Sequence, residues 1–147
     1  MDPYFGSIIN RLYNIAKIKV YIRQLPEQFQ TPSLYFPRPD VNEVSGGLNF
    51  EFAENVTRVT IFHKDETDAY DIANDIKNDL IQSRKFIQVV DAEGRPQEEF
   101  FKVKDIAIRS SSSDKTATMT FTYSTEQVYG RADYLSAEYV NITNEVI

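Results

Sequence analysis

The chain has 147 residues, a net charge of −6 and a pI near 4.8, with 41% hydrophobic and 26% charged residues. That is ordinary globular composition, long enough for one domain with a real core. The absence of cysteine excludes a disulfide scaffold, thiolate metal sites and cysteine nucleophiles, and the acidic balance argues against a phosphate-gripping protein. The nearest basic cluster, Lys17, Lys19 and Arg23, reads as a solvated face. Asp2-Pro3 opens a first helix, with Asp placed to cap free amides and Pro preset for the first turn. Phe5, Ile8, Ile9, Leu12, Ile15 and Ala16 then form one apolar stripe.

The period changes near Lys17. Ile18, Val20 and Ile22 alternate with Lys19, Tyr21 and Arg23, and β-branching with Pro26 behind favours a strand over a continued helix. A proline-guarded turn with Phe29 at its centre leads to a second short strand, Leu34-Tyr35-Phe36, closed by Pro37. Residues 38–47 hold Pro39, Asp40, Asn42, Ser45 and Gly46-Gly47 without periodicity, and read as a loop. Leu48, Phe50 and Phe52 share one face of a third strand. Ala53-Glu54-Asn55 reads as a turn, and Val59, Ile61 and His63 share a face of a fourth strand. Asp65, Glu66, Asp68 and Asp71 crowd the start of a second helix over 67–85, whose stripe is Ala69, Ile72, Ala73, Ile76 and Leu80.

Phe86, Ile87, Val89 and Val90 make the next strand, ended by the turn residues 91–96. Ala117, Met119, Phe121 and Tyr123 alternate with Thr116, Thr118, Thr120 and Thr122, one face for the core and one a threonine ladder. The partner strand carries Phe101 and Val103 on odd positions but Ile106 and Ile108 on even ones. One extra residue near Lys104-Asp105 restores a common face, which predicts a β-bulge there. Residues 110–115 form a polar, exposed hairpin loop, and residues 131–140 have the pattern of two helical turns.

Chemistry is sparse. His63 is the only histidine and has no nucleophile placed against it in sequence. The acidic group at 65–71 lacks the spacing and glycine of a calcium loop, and helix capping accounts for it. Gly46-Gly47 lacks the lysine of a phosphate loop, and Ser111 to Ser113 form a flexible tip, not a nucleophile elbow. No catalytic, cofactor-binding or metal site is expected, and no enzymatic activity. No apolar run approaches the roughly 18 residues of a membrane span, and no membrane partner is expected. The sequons at Asn55 and Asn141 read as chance matches in a chain without a signal peptide.

The order of helix, two strands, two strands, acidic-capped helix with Asp68-Ala69-Tyr70-Asp71-Ile72-Ala73, then three strands resembles the small tail terminator proteins of tailed bacteriophages and prophages. The likeness covers roughly the first 125 residues and rests on pattern more than on fixed residues. It implies an α+β fold, a single mixed, mainly antiparallel sheet with two helices on one face, over residues 1–128; the C-terminal arm or tail over 129–147 departs from the family, being longer and more apolar than its small members need. It implies a virion protein of the tail and neck, present in the host cytoplasm during assembly. Copies close into a hexameric ring that caps the tail tube protein, ends tube growth and joins the head–tail connector protein, beside the sheath where one exists, while DNA passes through without specific binding.

The expected subunit or tube contacts are Arg38, Asp40, Asn42 and Glu43 in the first loop, Ser111, Ser112, Ser113 and Asp114 at the hairpin tip, and Tyr134, Leu135, Tyr139, Val140 and Ile142 in the tail. The apolar tail either folds back on its own sheet or lies on a neighbour. Another neck or head–tail joining protein is the alternative reading, and a small-ligand-binding α+β domain a further one.

Overall fold

A computed structural model describes residues 2–44 and 50–128. Helix α1 (Pro3–Ala16) is followed by strands β1 (Lys19–Ile22), β2 (Ser33–Phe36), β3 (Asp40–Val44) and β4 (Phe50–Phe62). Helix α2 (Glu66–Gln82) and strands β5 (Phe86–Val90), β6 (Pro96–Lys102), β7 (Lys104–Ser111) and β8 (Thr116–Val128) complete the described chain. The class is α+β with a mixed, mainly antiparallel sheet, as the sequence implies. Its strand order is β1-β2-β4-β8-β7 with β3 also paired to β4, while β5 and β6 form a separate two-stranded ribbon. No described helix is long and apolar enough to cross a membrane.

Residues 2–40 and 56–123 form one compact unit. Its core joins α1 (Phe5, Ile8, Leu12), α2 (Ala69, Ala73, Ile76, Leu80) and the sheet (Leu34, Phe36, Val59, Ile61, Met119, Phe121), all buried. These are the stripes that helical and strand periodicity select. Ser7 locks α1 to β5: its Oγ donates to Pro3 O at 2.6 Å and accepts the Val90 amide at 2.9 Å. Arg11 links the helices, with its guanidinium 2.6 Å from Asp79 Oδ1 and 3.2 Å from Ser83 Oγ. Residues 41–44, 50–55 and 124–128 cluster separately. There Asn55 is buried and its Nδ2 donates to Thr125 Oγ1 at 3.2 Å. The proposed boundary at 128/129 lies at the edge of the described residues.

Three expectations need correction. The segment 38–47 is not all loop, because Asp40–Val44 pairs with β4. Backbone pairing makes that strand, and it has no apolar alternation to announce it. Ala53-Glu54-Asn55 is not a turn: the chain runs straight through as β4, and the change of apolar parity from Phe50 and Phe52 to Val59 and Ile61 occurs within one strand. β1 and β2 are parallel, Lys19 opposite Ser33 and Ile22 opposite Phe36. The connection is held by Phe29, whose ring lies 6.3 Å from Tyr21 and 4.6 Å from Phe62.

The third correction concerns α2, which stops at Gln82, short of Lys85. Arg84 and Lys85 both take left-handed conformations, φ 57° and 68°. The Lys85 amide donates to Leu80 O at 2.7 Å and the Arg84 amide to Ile81 O at 2.9 Å, the paired bonds of a Schellman stop with arginine where glycine is usual. Arg84→Gly removes the Cβ penalty of that conformation and is expected to raise stability by about 0.5–1 kcal/mol, read as a higher urea midpoint at unchanged slope.

Candidate functional site

The residues singled out from sequence fall in separate places. Arg38 is exposed between β2 and β3. Asp40 opens β3 and is tied within the chain, its Oδ2 2.6 Å from the Arg58 guanidinium. Asn42 is exposed on β3, and Glu43 follows it in the same strand. Ser111 ends β7, and Ser112, Ser113 and Asp114 form the exposed hairpin tip. That tip bonds to itself: Ser111 Oγ lies 3.3 Å from Ser113 Oγ and donates to Asp114 Oδ2 at 3.2 Å. It sits at the His63 end of β4, where the His63 amide meets Lys115 O at 3.4 Å. Asp40 sits beside Arg58, roughly 17 Å back along the strand at 3.4 Å per residue. The structure therefore does not bring Asp40 and the tip together. Tyr134, Leu135, Tyr139, Val140 and Ile142 lie outside the described residues.

The titratable groups that sequence flagged have local partners. His63 Nδ1 accepts the Lys64 amide at 2.8 Å and lies 3.9 Å from Asp68 Oδ2. Asp65 caps α2, its Oδ1 accepting the Asp68 amide at 2.9 Å. Among the described residues no group of three or more His, Cys, Asp or Glu side chains is placed to hold a metal ion.

Two surfaces stand out that sequence reasoning missed. The first is the outer face of the β5–β6 ribbon. Phe86 opposes Lys102 and Gln88 opposes Phe100, so the two phenylalanines share one face on a diagonal. They are 44% and 57% exposed, whereas Ile87 and Phe101 on the other face are 1% and 7% exposed. The signal was available: Phe86-Ile87 and Phe100-Phe101 are apolar doublets, and in an alternating strand only one member of each can point inward.

The second is a groove of about 850 Å³ between α1, the edge strand β1 and the β5–β6 turn. Its apolar lining includes Ile9, Tyr13, Val20, Ile22 and Val90, and Asp2, Asp91 and Glu93 supply acidic groups. Tyr13 and Ile22 are 46% and 39% exposed. The turn is built on Asp91, whose Oδ1 accepts the Glu93 and Arg95 amides, each at 2.9 Å. Gly94 turns the chain at φ 82°, a conformation that favours glycine. The Arg95 amide, reinforced by its guanidinium 2.8 Å from Asp91 Oδ2, holds the Asp91 carboxyl below the usual carboxylate range. This rim stays anionic. The groove is an open, largely apolar surface, suited to contact more than to bond-making chemistry.

Comparison with known proteins places the chain. No model of a known protein family matches it. It is 30% identical over 139 residues to the uncharacterized protein YqbJ of Bacillus subtilis (strain 168), covering 94% of both chains. The chain belongs to the YqbJ family. It is also similar to XkdJ, a protein of the phage-like element PBSX of the same organism, at 27% identity over 133 residues and 90% of both chains. Among solved structures, a chain in the virion of a native gene transfer agent particle covers 81% of this chain and 84% of its own, with TM-score 0.47 and 11% identity.

Proposed function

We propose that this protein is a structural component of a tailed-phage-type particle, closing into a ring on the last layer of the tail tube. The ring ends tube growth and presents a surface to the head connector, and the protein carries out no reaction. The observation that carries this reading is the end-to-end alignment with XkdJ, a protein of a phage-like element, over 90% of both chains. The resemblance of the element order to tail terminators narrows it from phage structural protein to that role. Geometry supports it too: among the described residues, exposed Tyr13 and Ile22 share one groove and exposed Phe86 and Phe100 share one ribbon face, apolar surface of the kind that assembly contacts use. The net charge of −6 suits a ring through which DNA passes without sticking, since like charges repel.

Deleting the gene from a phage or prophage that encodes this protein tests the reading. Terminator function predicts headless tubes with a broad, overlong length distribution under negative stain, and purified protein that forms rings or caps tube ends. Headless tubes of normal length favour the alternative, a neck or head–tail joining protein. Intact particles from the deletion would rule out both roles.

A further inference from the structure

Two apolar surfaces remain unassigned. One is the exposed face carrying Phe86 and Phe100; the other is the groove between α1, β1 and the β5–β6 turn. We propose that they are the two halves of one head-to-tail contact, the phenylalanine face of one copy seating in the groove of the next. This rests on the ring reading and names the surfaces that close the ring.

One copy cannot make the contact with itself. The ribbon carries the phenylalanines at one end and on its outer face, while its turn at the other end walls the groove. From Phe86 to Val90 is roughly 14 Å along the strand, and hydrogen bonding across the ribbon prevents its folding back. A second copy has no such restriction. A contact between two different patches on each copy is heterologous, and such contacts build rings when the rotation closes.

Charge agrees with the pairing. Lys102 is directly opposite Phe86 and two residues along β6 from Phe100, on the same face, with its ammonium 5.9 Å from the centre of the Phe86 ring. Glu98 is displaced toward the turn end of the same strand. The groove carries Asp2, Asp91 and Glu93, with Arg95 bound across the last two, so the rim keeps a net negative charge to receive Lys102. The aromatic, lysine-flanked face and acid-rimmed apolar groove have the composition of an interface core and its polar edge.

The absence of native cysteine makes the test direct. The variant Phe100→Cys with Ile22→Cys, both exposed positions, is oxidised at high protein concentration and run on a non-reducing gel. A second pair, Phe86→Cys with Tyr13→Cys, guards against one pair of sulfurs failing to reach bonding distance. The expected result is a ladder of dimers, trimers and higher species from the double variants, at least tenfold above either single variant. Single variants that dimerise as efficiently as the doubles point to a symmetric contact and overturn the proposal. So does an absence of ladder in both doubles while the wild-type chain forms rings, an outcome that leaves the ring reading intact. A ladder from a chain that forms no ring or tube cap supports the contact and overturns the ring.

Discussion

Phe36→Ala is expected to destabilise the protein by about 3–5 kcal/mol, the usual range for truncating a buried phenylalanine where the surroundings cannot collapse. Phe36 is fully buried at the end of β2, a strand of only four residues, and its ring meets Phe5 of α1 edge-on at 6.3 Å. β2 lies between β1 and β4 in the sheet, so the ring stands where helix and sheet are pressed together. The loss would be a large share of a total stability of about 5–15 kcal/mol. Urea unfolding is the measurement: the midpoint should fall sharply with the slope unchanged. Val41→Ala, at a position 62% exposed, should stay within about 0.5 kcal/mol of wild type. A Phe36→Ala cost below about 1 kcal/mol would show that α1 is not seated on β2.

Packing patterns were legible where one face of an element is buried and opaque where backbone pairing alone decides. Ala117, Met119, Phe121 and Tyr123 are all buried, as their alternation with threonines requires. The bulge argued from the parity change between Val103 and Ile106 is present: the β7–β8 register shifts between Lys104 and Ala107, and Asp105 takes φ 55°. The larger consequence escaped the sequence. The same break separates β6 from β7, sending one into a ribbon with β5 and the other to β8, and side-chain parity carries no information about partners. β3 has no apolar stripe because it needs only its backbone groups to pair with β4. The direction of β2 is likewise invisible, since period 2 reads the same in parallel and antiparallel pairs. For the candidate site, turn chemistry drew attention to polar tips that bond internally. The exposed phenylalanines sat inside strand patterns and passed as core.

Stability is also expected to fall steeply as pH rises from about 10 to 12, because of a node that ties both ends of the main unit. Asp2 caps α1 with one carboxylate oxygen, Oδ1 accepting the Tyr4 amide at 3.0 Å, and accepts the Tyr123 hydroxyl of β8 on the other at 2.7 Å. Tyr4 stacks on Phe101 at 4.5 Å and meets Tyr123 edge-on at 6.0 Å, and its hydroxyl donates to Glu99. The Glu99 bond, then burial, pushes the Tyr4 pKa up to about 12. Burial, then the bond to Asp2, pushes Tyr123 up as well. Both folded values lie above the ordinary tyrosine value near 10, so the folded chain holds these protons more tightly than the unfolded one. The resulting stabilisation is complete below about pH 10 and drains away as the unfolded chain ionises first. The double variant Tyr4→Phe with Tyr123→Phe loses two bonds to carboxylates, the part-buried one at Tyr123 worth about 1.5–3 kcal/mol and the exposed one at Tyr4 less, so it starts lower at pH 8. Its urea midpoint should then change less between pH 9 and 11.5 than that of the wild type. Equal slopes against pH in the two proteins would mean that these tyrosines do not link α1 to β8 through their protons.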